Sequence, residues 1–148
     1  EMTGDVFGSV VSNAKSLQYC LYAGLDPAFN SYMPFRHAFK GSWKGPADTG
    51  TPYMESFDLL LKYMEKTGGK APLAEKLTVK GNMFPKWAGE YGRVEVLEKF
   101  VEIGLFDTFT DKDWSDILIW VGIGRKMTPK QKEDTVKLLE DEKKKQGK

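Results

Sequence analysis

Apolar side chains recur at intervals of three and four residues along most of this 148-residue chain. The first such series lies in residues 5–23, and its members are Phe7, Val10, Ala14, Leu17 and Leu21. These intervals place side chains on one face of an α-helix, whereas a half-buried strand needs strict alternation. No segment of the sequence alternates convincingly. The sequence therefore predicts an all-α protein, and its length suits a single domain spanning 1–148.

Proline and glycine indicate the bounds of the next helix. The pair Asp26-Pro27 has the residue types of an N-cap and first helical position, so we expect a helix over about 27–40. Pro34 lies inside this segment and predicts a kink or an early break. Residues 41–50 have the composition of a loop.

The middle of the chain is less regular. Thr51-Pro52 predicts the start of another helix, which Gly68-Gly69 ends. Residues 72–77 have the composition of a short helix. Four residues that interrupt helices lie within or next to 82–91, namely Gly81, Pro85, Gly89 and Gly92. They predict turns or broken helix there.

Two clearer helices follow. One begins at Arg93 and ends at Gly104, and Thr110 caps the next. The second of them carries Ile119 and Trp120 on the face opposite its main apolar stripe. A helix that is apolar nearly all round is usually central, which predicts a buried position.

The last helix has a capping-box pattern at residues 128–131 and extends to about Lys145. Only three of its residues are apolar, so we expect it to cover an edge of the domain; they are Val136, Leu138 and Leu139.

Glycines end four of the predicted helices, at Gly24, Gly68, Gly104 and Gly147, with intervals of 44, 36 and 43 residues. Repeats of this length are typical of helical arrays, in which stacked hairpins form one continuous core. The pattern predicts about three irregular hairpins and a lead-in helix. The alternative is an irregular bundle in which glycines recur by coincidence.

Residues 92–105 resemble the second helix of a pentatricopeptide repeat, and residues 124–126 with 136–143 resemble it too. Between them, residues 114–119 lie where that family has the first helix of its repeat. The resemblance is good over 92–147 and loose elsewhere. It implies a right-handed stack of helical hairpins.

Within that family, the chain is similar in size and layout to the small accessory subunits of euglenozoan mitochondrial ATP synthase. This resemblance implies a mitochondrial, non-catalytic subunit that binds the α-subunit of the catalytic head. True pentatricopeptide arrays instead bind RNA, which is the alternative.

Charge favours a protein partner over RNA. The chain has 22 basic and 21 acidic residues, and no segment has the excess that tracking phosphates requires. No apolar run approaches the roughly 18 residues that a membrane span needs, so we expect a protein that is soluble or peripheral to a membrane complex.

Motifs for catalysis and cofactors are weak. Cys20 and His37, the single members of their types, could form a nucleophilic pair but are too few for a metal site. The triplet Asp48-Thr49-Gly50 occurs in aspartic proteases, yet here no strand precedes it. Gly68-Gly69-Lys70 and residues 122–126 lack the glycine spacing of phosphate loops. We therefore expect no enzyme activity, no metal and no cofactor.

Aromatic and basic residues beside prolines and turns are the best candidates for binding. Such residue types are enriched at protein interfaces. The predicted partner-binding residues are Tyr32, Phe35, Arg36, Trp43, Phe84 and Trp87. The alternative is that these rings fill gaps between imperfectly packed helices.

Overall fold

The computed structural model describes residues 9–43, 50–67, 69–78 and 81–147. Throughout these ranges the regular structure is helical, without a strand, so the all-α prediction is confirmed. The helices are α1 Ala14–Tyr22, α2 Phe29–Lys40, α3 Met54–Lys66, α4 Leu73–Lys76, α5 Met83–Glu90, α6 Val94–Glu102, a 3₁₀ helix Leu105–Thr108, α7 Asp111–Ile123 and α8 Pro129–Lys145. None of them combines the length and apolar character needed to cross a bilayer, as far as the described ranges extend.

The first predicted helix is interrupted at residues 12–13, before α1 begins. The side chain of Asn13 accepts a hydrogen bond from the Ser16 N–H at 3.2 Å, and the Ser12 hydroxyl donates to the Ser9 carbonyl at 2.7 Å. Such side chains offer the backbone local alternatives to the helical hydrogen bonds. The prediction of one continuous helix is therefore wrong at this point.

Helix α2 starts two residues later than predicted. The Asp26 carboxylate accepts from the Ala28 N–H at 2.9 Å and thus forms a turn before the helix. Ser31 and Tyr32 have positive φ angles of 58° and 65°. These left-handed angles distort α2 immediately before Pro34, the place where a proline ring would clash with the fourth carbonyl before it in a regular helix. The helix continues through Pro34 to Lys40, so the predicted early break does not occur there.

The structure has a helix, α5, where turns or broken helix were predicted for residues 82–91. Pro85 is its third residue, where the N–H would have no intrahelical partner anyway. Gly89 faces α7, and a Cβ built on it would lie 2.7 Å from the Cγ2 of Val121. Here glycine permits close packing, whereas the sequence pattern suggested a helix breaker.

We expect Gly89→Ala to lower the free energy of unfolding by about 1–3 kcal/mol, because the added methyl must displace Val121. Gly122→Ala is the matched control, since Gly122 is helical and a Cβ there meets nothing within 4 Å. That control should stabilise by up to about 1 kcal/mol. Urea unfolding followed by circular dichroism measures both, and equal effects of the two variants would refute the packing argument.

Consecutive helices pack as pairs, namely α2 with α3, α5 with α6 and α7 with α8. The first helix of each pair lies in one layer, which consists of α2, α5 and α7. In this layer α5 contacts both α2 and α7. In the second layer α6 contacts α8, while α1 and α4 pack on α3. This packing is consistent with a repeat-like array of hairpins. The pentatricopeptide resemblance and the right-handed sense stay predictions.

The predicted helix ends agree well with the structure in the C-terminal half. Thr110 and Thr128 both form capping boxes, with Asp113 and Gln131 as their partners. Gly104 and Gly147 follow α6 and α8 with positive φ, as Gly24 does after α1. Gly68 lies outside the described residues. Helix α8 also covers an edge, as expected, because Leu139 is its only fully buried apolar side chain.

The prediction that α7 is buried on all sides is wrong. Trp114, Ile117 and Val121 are buried, but Ile119, Trp120 and Ile123 are 60%, 40% and 71% exposed. The helix lies at the end of the first layer, so nothing among the described residues covers its second face. This exposed apolar face is the first indication of a binding surface.

Candidate functional site

Two of the six predicted binding residues are core residues. Phe35 and Phe84 are both 0% exposed, and their rings stack on each other with centroids 4.6 Å apart. They lie on the facing sides of α2 and α5, which pack together in the first layer. A partner cannot contact either ring in this fold, so the alternative interpretation, filling between helices, holds for both.

The structure brings Tyr32, Arg36 and Trp87 together on the surface above that stacked pair. The guanidinium carbon of Arg36 lies 5.4 Å from the centroid of the Trp87 ring, a cation–π contact. Tyr32 contacts Phe84 edge-on at 5.2 Å, and Trp87 contacts Phe84 at 5.9 Å. All three surface side chains are half-exposed.

Trp43, the sixth predicted residue, is half-exposed and lies next to Tyr91 with ring centroids 5.6 Å apart. The ammonium of Lys126 lies 5.0 Å from the centroid of the same Tyr91 ring. Tyr91 therefore links the segment after α2 to the segment after α7.

Glu90 forms ion pairs with two basic residues of this surface, Arg36 and Lys126. Its Oε1 lies 2.8 Å from the Nζ of Lys126, and its Oε2 lies 3.8 Å from a guanidinium nitrogen of Arg36. Burial would lower the pKa of Lys126, but the hydrogen bond to Glu90, together with the negative charge there, raises it overall. Glu90 at the end of α5 thus connects α2 with the segment that follows α7.

Beside Glu90 the surface opens into a cavity of about 220 Å³, whose apolar walls are Trp120 and Ile123 and whose basic rim is Arg125 and Lys126. This volume is below the roughly 300–1,000 Å³ of pockets for drug-sized molecules, so it suits a single side chain better. Sequence reasoning missed this cavity because it assigned Trp120 to a buried helix.

We call the combined surface the aromatic–basic face, and its members are Tyr32, Arg36, Trp87, Trp120, Ile123, Arg125 and Lys126. It crosses the three helices of the first layer. His37 lies on the same helix as Arg36, and its pKa is lowered by burial and then by the charges of Lys40 and Arg36. The electrostatic environment here is positive.

Within the described ranges no group of three or more histidine, cysteine or acidic side chains is placed to hold a metal ion. Asp48 and Thr49 of the protease-like triplet lie outside the described residues. The glycines at 122–124 belong to the end of α7, as expected for a helix terminus.

Comparison with known proteins adds no identity: the chain matches no protein-family model, no curated protein and no solved structure. The inference of function therefore rests on the geometry of the aromatic–basic face.

Proposed function

We propose that this domain is a non-catalytic docking module that binds a partner protein through the aromatic–basic face. The observation that carries the proposal is the exposure of Trp120 and Ile123 beside a basic rim. Large apolar side chains cost free energy when they stay in water, and burying them drives association. Tryptophan and arginine are also the residue types most enriched among binding hot spots.

The charges indicate the chemistry of the partner. Arg36, Arg125 and Lys126 contribute three positive charges, and Glu90 is the acidic residue among them. Glu90 pairs with Arg36 and Lys126 and offsets one of the three positive charges, which leaves a net charge of +2. A complementary partner presents an apolar side chain for the cavity and carboxylates around it.

The resemblance described above suggests a first partner to test. We propose the α-subunit of a mitochondrial ATP synthase head, and with it a mitochondrial location. The support for this specific partner is the resemblance in size and layout, while the support for a docking role is the face itself.

The test compares two double variants that each remove two exposed apolar side chains. Trp120→Ala with Ile123→Ala should weaken binding to the purified partner at least about 30-fold, because hot-spot truncations cost about 2 kcal/mol or more. Tyr19→Ala with Tyr22→Ala is the control, since these α1 side chains are 81% and 80% exposed and lie off the face. The control should change the affinity less than about twofold, and isothermal titration calorimetry measures both.

Two outcomes would contradict the proposal. The first is a monomer that retrieves no stoichiometric partner from its native extract and does not bind the ATP synthase head. The second is micromolar binding of mixed single-stranded RNA, with a steep dependence on salt that is lost in Arg36→Ala with Lys126→Ala. That result would assign the aromatic–basic face to RNA, with the rings stacking on bases.

A further inference from the structure

A second surface lies in the other layer of helices. A groove of about 370 Å³ runs between α6 and α8, neither of which contributes to the aromatic–basic face. Three half-buried apolar side chains line it: Val94 and Val101 from α6, and Leu138 from α8. The groove therefore offers an apolar strip bounded by two helices, which is the geometry that accepts a third helix.

The rest of the lining is mostly acidic, and it consists of Glu98, Asp134, Asp141, Glu142, Lys137 and Lys145. Four carboxylates against two lysines give the groove a net charge of −2. This is opposite in sign to the aromatic–basic face, although the whole chain is nearly neutral at +1.

The four carboxylates of the groove differ in whether another side chain of the domain pairs with their negative charge. Asp134 forms an ion pair with Lys130 at 3.0 Å, and Glu142 accepts a hydrogen bond from Gln146 at 3.2 Å. In the described part of the chain, no ion pair joins Glu98 or Asp141 to a cation. One lies on each helix, so a free carboxylate faces the groove from either side.

We propose that this groove binds a basic amphipathic helix of a partner protein. Val94 and Val101 are seven residues apart, about 10 Å along a helix, so the bound segment contacts the groove over about two turns. Its apolar side chains, at intervals of three and four residues, pack on the valines and Leu138. Lysine or arginine side chains on both flanks pair with Glu98 and Asp141. The opposite charges of the two surfaces make them select different segments, so the domain can bridge two partners.

The probe is a synthetic peptide of about 18 residues, long enough to form a helix on binding, with leucines at intervals of three and four and lysines on both flanks. Binding is measured by fluorescence anisotropy on the full chain at low and physiological salt. We expect weaker binding at the higher salt, because exposed ion pairs are screened. A second peptide with serine in place of leucine keeps the charge, and it should bind at least about tenfold more weakly.

Two protein variants test the location. Glu98→Gln with Asp141→Asn removes the free carboxylates and should weaken binding about fivefold. Glu95→Gln with Glu133→Gln is the matched control, because it removes the same charge from exposed positions of the same helices outside the groove. The control should bind like the unmodified chain.

Equal binding by both variants, or equal binding of both peptides, would overturn the proposal. So would a concentration-dependent dimer that the Glu98 and Asp141 substitutions dissociate, since the groove would then hold a second copy of this chain. The Trp120→Ala, Ile123→Ala variant keeps the two proposals separate. It should bind the peptide normally, and loss of peptide binding there would place the peptide on the other face.

Discussion

Replacing Arg93 by methionine is expected to lower the free energy of unfolding by about 3–5 kcal/mol. Arg93 is 1% exposed, and among the described residues its side chain donates to three backbone carbonyls. Nε lies 2.9 Å from the oxygen of Phe39, and the two terminal nitrogens lie 3.1 Å from that of Gly50 and 2.6 Å from that of Lys40. Methionine fills similar space without donors, so the Phe39 and Gly50 carbonyls lose this partner at about 1–3 kcal/mol each. The Lys40 carbonyl also accepts from the Trp43 N–H at 3.3 Å and keeps that bond.

Two variants serve as references in the same urea titrations. Arg93→Lys keeps the charge but lacks the planar array of donors. Its free energy of unfolding should therefore lie between that of Arg93→Met and that of the native chain. Arg125→Met removes an exposed arginine, and it should change stability by less than about 0.5 kcal/mol. A loss below about 1 kcal/mol for Arg93→Met would mean that water replaces the guanidinium at these carbonyls.

The position of Arg93 connects stability to the proposed function. It lies between α5 and α6, whereas two of its acceptors, Phe39 and Lys40, end α2. Carbonyls at a helix C-terminus carry partial negative charge, so a buried cation is favoured there. The same contact holds α2 against α5, and these helices carry Arg36 and Trp87 of the aromatic–basic face.

Local interactions were predictable from the sequence because their partners lie within a few residues. The capping boxes at Thr110 and Thr128 each join residues three apart, and a sequence window contains the whole motif. The same is true of the glycines after α1, α6 and α8, which take left-handed backbone angles that other residues avoid. The all-α prediction follows from periodicity of this local kind.

Long-range packing explains what sequence reasoning missed. Arg93 finds acceptors 43–54 residues away, so no local pattern identifies it as a buried capping residue. Phe35 and Phe84 looked like surface aromatics because prolines accompany them, but each proline is accommodated inside a packed helix. Helix α7 looked buried on all sides, yet it ends its layer. Its exposed face therefore could be recognised only after the order of helices was known.

The two proposed surfaces also differ in how far the sequence could reveal them. The sequence shows aromatic and basic residues close together around Arg36 and Trp87, so this part of the face could be predicted. The cavity at Trp120 could not be predicted from the sequence. The acidic groove between α6 and α8 combines residues about 40 positions apart, and the balanced overall charge hides it. A near-neutral chain can thus have surfaces of opposite sign.

Phe39→Ala is expected to destabilise the domain by about 3–5 kcal/mol, comparable to the loss at Arg93. Phe39 is fully buried, and its ring contacts four other rings: Phe35 at 6.2 Å, Phe57 at 5.2 Å, Phe84 at 6.1 Å and Phe100 at 5.9 Å. Three of these contacts are edge-to-face, a geometry that adds to the free energy of burial. Alanine leaves a cavity at the centre of this cluster.

The cluster joins α2, α3, α5 and α6, so Phe39 holds the first two helix pairs together. Phe39→Leu keeps most of the volume and should cost clearly less than alanine, whereas Tyr22→Ala, at an exposed ring, should have almost no effect. Urea unfolding gives the stability, and near-ultraviolet circular dichroism reports the packing of the rings. If Phe39→Ala and Tyr22→Ala lost similar stability, the aromatic cluster could not be the contact that unites the two pairs. The stack would then depend mainly on Arg93 and on the packing of α5 against α7.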